Sequence, residues 1–208
     1  MTSTTTPALT VLGLVCTLTP APGASSSELL AQQVLDALEP HGVTGELVRV
    51  VDHDIKPGVQ TDMGEGDAWP ALRAKLLDAD ILLVSTPTWL GQASSVCMRV
   101  LERLDAEISE TDDEGRPQVF GKVAVAAVVG NEDGAHHITS QLYQGLSDVG
   151  FTIPAQAVTY WHDVAMGSVD YKDLDETPDS TATTTSTLAA NAAHLARLLK
   201  AQPYPPVG

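Results

Sequence analysis

Hydroxyl side chains are concentrated in one loop near the start of the chain, residues 17–27 (TLTPAPGASSS), between a continuous apolar run and a helical pattern. Hydroxyl groups, backbone amides and the positive end of a helix dipole together favour a bound phosphate. The loop contains no lysine and no G-x-x-x-x-G-K-[ST] motif, which argues against a nucleoside triphosphate with magnesium. The alternative is a connector in which residues 25–27 only cap the helix. The position directly after a buried strand favours the phosphate.

A second loop, residues 86–92 (TPTWLGQ), combines an aromatic ring with backbone constraints. Pro87 fixes the backbone, and Gly91 permits a sharp turn or a close approach by a ligand. Trp89 is typical of a core residue near a strand end, but its ring would equally suit the face of a flat heteroaromatic ligand. The loop is therefore a candidate wall of a binding site.

A third loop, residues 129–137 (VGNEDGAHH), contains two glycines with polar residues between them. Its adjacent histidines, His136 and His137, suggest a metal at first sight. Neighbouring side chains on a helix point about 100° apart, however, whereas chelating pairs need i,i+4 spacing. We therefore expect no metal here. Glu132 and Asp133 are carboxylates of the kind that the helix dipole favours near a first turn.

The two cysteines, Cys16 and Cys97, are too few for a disulfide framework or a four-thiolate metal site. Cys97 lies on the apolar face of a predicted helix, which favours a core position over a nucleophile. Gly64 and Gly66 have no third glycine and follow no strand, so they indicate a turn and not a dinucleotide fingerprint.

These loops need a scaffold in which strands alternate with helices. Apolar runs predict strands at 8–16, 43–51, 80–86, 119–129 and 151–160, and helical spacing predicts helices at 28–39, 69–77, 94–108, 135–149 and 188–200. This alternation predicts one doubly wound α/β domain at 8–200, with flexible tails at 1–7 and 201–208 and a surface excursion at 163–187. Ligands bind such sheets at the carboxyl ends of the strands, where all three loops stand.

The charge balance excludes one class of function. The 208 residues include 11 Lys and Arg against 27 Asp and Glu, a net charge of −16. So acidic a surface repels phosphate backbones, and we expect no nucleic-acid binding. The first Lys or Arg is Arg49, and no apolar run approaches the length of a membrane span. We therefore expect a soluble cytoplasmic protein.

Three segments together resemble the flavodoxin-like NAD(P)H-dependent FMN reductases and quinone reductases. They are Thr86-Pro87-Thr88-Trp89 with Gly91, the helix end Leu101-Glu102-Arg103-Leu104-Asp105, and Gly130-Asn131-Glu132-Asp133-Gly134, and the resemblance covers about residues 8–160. It implies a five-stranded parallel sheet in the order 2-1-3-4-5 with helices on both faces. It also implies a flavoprotein with FMN as cofactor and NAD(P)H as co-substrate.

The resemblance assigns roles to individual residues. It implies that Thr17, Thr19, Ser25, Ser26 and Ser27 hold the FMN phosphate. It implies that Pro87, Thr88, Trp89, Leu90, Gly91 and Gln92 line one side of the isoalloxazine, and that Gly130, Asn131, Glu132, Asp133 and Gly134 line the other. Candidates for the substrate face are His137, Tyr160 and Trp161. Flavin N5 carries the chemistry, so no catalytic side chain is expected.

The chain departs from some relatives of this family. Iron–sulfur flavoproteins of similar fold carry cysteines between the second and third strands, whereas residues 58–69 contain none, so we expect no iron–sulfur cluster. The first loop also lacks the Arg or Lys that is frequent in the reductases.

The implied activity is hydride transfer from NAD(P)H through FMN to a quinone, a free flavin or a similar small acceptor, in a homodimer or homotetramer. The alternative is an acidic flavodoxin-type electron carrier that does not oxidise NAD(P)H itself. A phospho-receiver domain is disfavoured, because Cys16-Thr17 and Ser85-Thr86 stand where receivers need acidic residues. A flavin-binding subunit of a larger assembly also remains open.

Overall fold

The computed structural model describes residues 8–164 and 167–206. Five parallel strands form its sheet in the order β2-β1-β3-β5-β6, and the two-residue strand β4 pairs antiparallel with the end of β3. The strands are β1 (Leu9–Val15), β2 (Val43–Arg49), β3 (Ile81–Trp89), β4 (Gln92–Ala93), β5 (Val123–Gly130) and β6 (Val158–His162). Without β4, this is the order 2-1-3-4-5 that the flavodoxin-like resemblance implies, and the prediction is confirmed.

Helices cover both faces of the sheet, because its central strands are apolar on both sides. The helices are α1 (Ser26–Leu38), α2 (Trp69–Asp78), α3 (Ser95–Leu104), α4 (Ala135–Asp148) and α5 (Asp179–Ala201). One apolar core lies between the sheet and α1 with α5, and the other lies between the sheet and α2, α3 and α4. Such double burial explains why β1, β3 and β5 read as continuous apolar runs. No helix in the described ranges has an apolar stretch long enough to cross a bilayer.

Two predicted strands begin later than their apolar runs do. β5 begins at Val123 because residues 117–122 form turns, with Gly121 at a φ of +83°. β6 begins at Val158, and the earlier part of the predicted strand contributes only an isolated bridge between Thr152 and Val123. Both segments bury apolar side chains, such as Val119 and Phe151, although their backbone does not form a strand. The apolar run in the sequence therefore placed the start of each strand too early.

The threonine-rich tract was wrongly predicted to belong to the surface excursion. It forms the first half of α5, which begins at Asp179 and not at residue 188. The buried Thr159 hydroxyl of β6 lies 2.9 Å from the Thr184 hydroxyl and 2.8 Å from that of Thr185. These contacts hold a helix that β-branched residues disfavour intrinsically. In the excursion that remains, residues 163–178, the described residues form one helical turn, Tyr171–Asp173.

The predicted N-terminal tail, residues 1–7, lies outside the described residues. The predicted C-terminal tail begins at the last residue of α5, and Tyr204 within it makes specific contacts. Its ring centroid lies 5.4 Å from that of Phe120, its hydroxyl lies 3.0 Å from the Thr152 hydroxyl, and its carbonyl accepts from Arg116 at 2.9 Å.

A buried ion pair organises the loop between β2 and α2. The Arg103 guanidinium donates to Asp67 at 2.8 Å, and both side chains are fully buried. Burial alone would raise the pKa of the Asp67 carboxyl, but four donors outweigh it and lower that pKa to about 2: the amides of Met63, Trp69 and Lys56 and the Arg103 guanidinium. Arg103 also donates to the carbonyls of Lys56 and Gln60, which fixes this long loop to α3.

Candidate functional site

A cleft of about 490 Å³ opens at the carboxyl ends of β1, β3 and β5. At this point the connection after β1 runs toward one edge of the sheet and the connection after β3 runs toward the other. Open α/β sheets bind ligands at such a point. The volume lies in the ordinary range for a small-molecule site, about 300–1,000 Å³. The predicted site residues that line the cleft are Thr17, Thr19, Ser25, Ser26, Ser27, Pro87, Thr88, Trp89, Gly130, Asn131 and Glu132. All three predicted loops therefore contribute to one site.

The hydroxyl-rich loop ends at the N-terminus of α1. Ser25 is the N-cap residue, and its hydroxyl accepts the amide of Glu28 at 3.3 Å, so the capping interpretation is correct for this side chain. The Ser25 carbonyl accepts the amide of Leu29. The first helical amides, those of Ser26 and Ser27, have no partner within the helix and remain as donors toward a ligand.

Buried hydroxyl groups hold the base of this loop. The Ser85 hydroxyl donates to the carbonyl of Ser27 at 2.7 Å, and the Ser94 hydroxyl donates to the carbonyl of Cys16 at 2.6 Å. Thr17 is buried, and its hydroxyl accepts the amide of Thr19 at 3.2 Å. The loop is therefore fixed to β3 and to the start of α3 by contacts within the protein itself.

The two cysteines lie beneath the same loop. Both Cys16 and Cys97 are fully buried free thiols. A hydrogen bond with Cys97, together with burial, raises the pKa of the Cys16 thiol well above its usual range. This environment keeps Cys16 protonated, as expected for core packing.

Arg49 is a residue of this site that the sequence analysis missed. Its guanidinium reaches from the end of β2 and donates to the carbonyls of Thr19 at 3.2 Å and Gly23 at 2.8 Å. It also pairs with the carboxylate of Glu28 in the first turn of α1. Arg49 thus holds the hydroxyl-rich loop through two of its backbone carbonyls. The loop itself contains no Lys or Arg, and β2 supplies this basic residue beside it.

The second and third loops are packed directly on each other. The amide of Leu90 donates to the Glu132 carboxylate at 2.7 Å. Gly134 has a φ of +151°, and a β-carbon there would lie 2.9 Å from the Cα of Gly91. A side chain at Gly134 would therefore separate the loops. Trp89 lines the cleft with 55% of its surface exposed, which leaves much of the indole ring available for stacking.

Eight predicted residues lie outside the cleft lining, of which five form the rim where the two loops meet: Leu90, Gly91, Gln92, Asp133 and Gly134. The imidazole Nε2 of His137 lies 3.1 Å from the Gln92 side-chain oxygen, also at this rim. Tyr160 packs between His136 and His162, with centroid distances of 5.2 and 6.1 Å.

Trp161, the last of these eight predicted residues, lies on the opposite face of the sheet from Tyr160. Its ring packs on Tyr171, with a centroid distance of 5.4 Å. As for metals, the part of the chain that the structure describes contains no group of three or more His, Cys, Asp or Glu side chains arranged to hold an ion.

The excursion after β6 supplies three further lining residues that the sequence analysis missed: Gly167, Asp170 and Lys172. The Asn131 amide donates to Asp170 at 2.9 Å, and the Lys172 ammonium donates to Asp170 at 2.5 Å. These two donors lower the pKa of the Asp170 carboxyl, and the hydrogen bonds with Asp170 and Asp173 raise the pKa of Lys172. One signal in the sequence could have indicated this residue: Lys172 is the sole Lys or Arg between Lys122 and Arg197.

Comparison with known proteins agrees with this geometry. The family model described as NADPH-dependent FMN reductase matches residues 9–164. The chain is 32% identical over 207 residues to 8-demethyl-8-aminoriboflavin-5′-phosphate synthase of Streptomyces davaonensis, covering 95% of this chain and 80% of that protein. It is 36% identical over 200 residues to the divalent metal cation transporter MntH of Mycobacterium bovis. That match covers 93% of this chain but spans only 29% of the transporter's length.

Among solved structures, the chain is similar to RosB with bound intermediate 8-demethyl-8-formylriboflavin-5′-phosphate. The TM-score is 0.86 at 32% sequence identity, and the match covers 95% of this chain and 82% of RosB. The described fold and its loops therefore have a counterpart in a protein that holds a phosphorylated flavin.

Proposed function

The chain belongs to the NADPH-dependent FMN reductase family, and from this premise we propose that it binds FMN in the cleft and oxidises NAD(P)H, passing the electrons to a quinone, a free flavin or a similar small acceptor. One observation carries the proposal. The cleft has phosphate-binding chemistry at one end, at Ser25–Ser27, and an exposed aromatic ring at the other, at Trp89. These are the two recognition elements that a flavin mononucleotide requires.

The residues of the cleft fit such a ligand. The amides of Ser26 and Ser27 and the surrounding hydroxyls are hydrogen-bond donors at the positive end of the α1 dipole, where an anion is favoured. Trp89 offers an apolar face for a planar ring, and the carbonyls and amides of residues 130–132 offer polar partners along its edge. When bound, FMN would supply the hydride-accepting chemistry.

The open side of the cleft supports a role for a second planar ligand. Leu90 is 91% exposed beside Trp89, so both side chains are accessible within the part of the chain that the structure describes. The chain's own contribution would be to orient the two ligands and to exclude water between them. In this proposal His137 and Gln92 at the rim would border the incoming ligand. Tyr160 would do so from the neighbouring strand.

An absorbance titration tests the proposal. Purified protein is mixed with FMN and then, without oxygen, with NADH or NADPH. We expect a bound flavin spectrum that bleaches with at least one pyridine nucleotide. A flavin that binds but stays oxidised with both nucleotides would favour the electron carrier instead. If no flavin binds, the assignment of the cleft is wrong.

A second candidate function treats the flavin as a substrate. It is favoured by the similarity to the aminoriboflavin phosphate synthase and to RosB, because both matches extend over 95% of this chain. Trp89 is the only aromatic residue among the described residues that line the cleft, so this lining offers a flavin one ring for stacking. Mass spectrometry of FMN after incubation with the protein in air, with an amine donor such as an amino acid, separates the two functions, since a reductase returns FMN with its mass unchanged.

We further propose that the protein is a homodimer or homotetramer. Apolar side chains beside the cleft are exposed, with 46% of Leu18, 55% of Trp89 and 91% of Leu90 accessible, and burial of such a rim stabilises association. Light scattering on the eluting protein measures the mass directly. A single species of 21.9 kDa would contradict this proposal.

A further inference from the structure

Lys172 is the only basic residue among the described residues that line the cleft. It stands 145 positions after residue 27, the end of the hydroxyl-rich loop, yet its backbone amide donates to the Ser26 hydroxyl at 3.3 Å. Ser26 is the first residue of α1. The excursion therefore brings a cationic side chain to the helix N-terminus at which the local sequence supplies none.

The residue before Lys172 fixes its position. Tyr171 is buried, and its hydroxyl donates to the side-chain oxygen of Gln33 on α1 at 2.6 Å. Its ring packs on Trp161. Asp170, on the other side of Tyr171, is held by Asn131. Lys172 thus extends from an anchored turn, and only its long side chain is free to move.

The present partners of the Lys172 ammonium are exchangeable. It contacts Asp170 at 2.5 Å and Asp173 at 2.9 Å, and the side chains of these two aspartates are 44% and 63% exposed. Ion pairs with exposed carboxylates contribute little free energy, because water solvates the separated charges almost as well. A phosphate at the N-terminus of α1 carries more charge and is already held by the helix amides. It is therefore the stronger partner for the ammonium.

We propose that Lys172 selects phosphorylated flavins, by transferring its ammonium from Asp170 and Asp173 to the ligand phosphate. The proposal rests on the proposed function, in which the cleft binds FMN. It adds that the preference for FMN over riboflavin, which has the same ring and no phosphate, comes from a residue of the excursion. Asp170 keeps its hydrogen bond with Asn131 when the ammonium leaves, so the turn stays in place.

The affinities for FMN and riboflavin, measured by quenching of flavin fluorescence, test this proposal. Lys172→Met should weaken FMN binding about ten- to a hundredfold, the usual effect of losing a charge-assisted hydrogen bond, and leave riboflavin binding unchanged. Lys172→Arg should retain most of the preference. Lys200→Met is the matched control, because Lys200 pairs with an aspartate, Asp80, at the opposite end of the sheet.

A second variant changes the affinity in the opposite direction. Asp170→Asn with Asp173→Asn removes the competing carboxylates, so FMN should bind more tightly while riboflavin binding stays the same. Equal losses for both flavins in Lys172→Met, or no loss for either, would overturn the role of Lys172 while FMN binding by the wild type still supported the proposed function. Wild-type protein that binds neither flavin would overturn both.

Discussion

The Glu132 carboxylate accepts the backbone amide of Leu90 at 2.7 Å, and this contact joins the two loops that form the ring end of the cleft. Leu90 follows β3 and Glu132 follows β5, so the hydrogen bond connects the carboxyl ends of two neighbouring strands. Because the loops also meet at Gly91 and Gly134, the width of the cleft at this end is set by very few atoms.

Replacement of Glu132 should loosen this connection. In Glu132→Ala the Leu90 amide loses its acceptor, and its hydrogen exchange should accelerate by up to about tenfold, the net worth of one such bond. Glu132→Gln keeps a side-chain oxygen at the same place and should retain most of the protection. Amide exchange followed by NMR measures both. Equal exchange rates in the two variants would show that the contact does not hold the loop.

Leu90 itself is strained. It has a φ of +52°, a left-handed conformation that leucine rarely adopts, and it is followed by Gly91 at +71°. Leu90→Asn should raise the free energy of unfolding by about 0.5–1 kcal/mol, because asparagine tolerates this conformation better. Urea denaturation measures the gain. Gln156→Asn, at the same φ but away from the cleft, is the matched control and should stabilise similarly without changing flavin affinity.

The hydroxyl-rich loop can be tested by removing two hydroxyls. Ser25→Ala combined with Ser27→Ala should weaken FMN binding by about tenfold or more, if each hydroxyl donates to the phosphate. Loss of the N-cap at Ser25 should also cost about 1 kcal/mol of stability, so binding is measured well below the melting temperature. Ser140→Ala, an exposed serine on α4, serves as control. Unchanged FMN affinity in the double variant would contradict the phosphate assignment.

The buried pair of Asp67 and Arg103 predicts a particular response to acid. The pKa of Asp67 is lowered to about 2 in the folded protein, below the value of 3.8 for an unperturbed carboxyl. The resulting stabilisation, about 2 kcal/mol, is complete above the unfolded pKa and is lost as the pH falls from about 4 toward 2.

Asp67→Asn should therefore be less stable than the wild type at neutral pH and show a weaker loss of stability in this acid range. Chemical denaturation at successive pH values measures the difference. Asp36→Asn, an exposed aspartate on α1, should leave the pH profile unchanged. Parallel profiles for Asp67→Asn and the wild type would contradict the lowered pKa.

Local patterns predicted the sheet and most of the cleft for a physical reason. Carboxyl ends of parallel strands share one edge, so residues at or just after the ends of β1, β3 and β5 must meet there, as Ser25, Trp89 and Gly130 do. Lys172 and Arg49 could not be placed in the same way. The position of Lys172 depends on the path of the excursion, and that of Arg49 depends on a side chain that reaches from β2 to the hydroxyl-rich loop. Neither feature produces a periodic pattern in the sequence.

The same limit applies to the threonine-rich tract before residue 188. Threonine has a low intrinsic helix propensity, so composition indicated a loop. The deciding contacts are those with Thr159 on β6, which no local window of the sequence contains. The late starts of β5 and β6 have a different cause, because turns within each segment replace the first part of the predicted strand.

The guanidinium of Arg49 has a consequence for the thermodynamics of ligand binding. Because it holds the carbonyls of Thr19 and Gly23, part of the conformational entropy of the loop is lost when the protein folds. A ligand that enters then has less of the chain to order, so the entropic cost of its binding should be smaller. The affinity of the loop for an anion is thus determined in part by a residue that need not touch the anion.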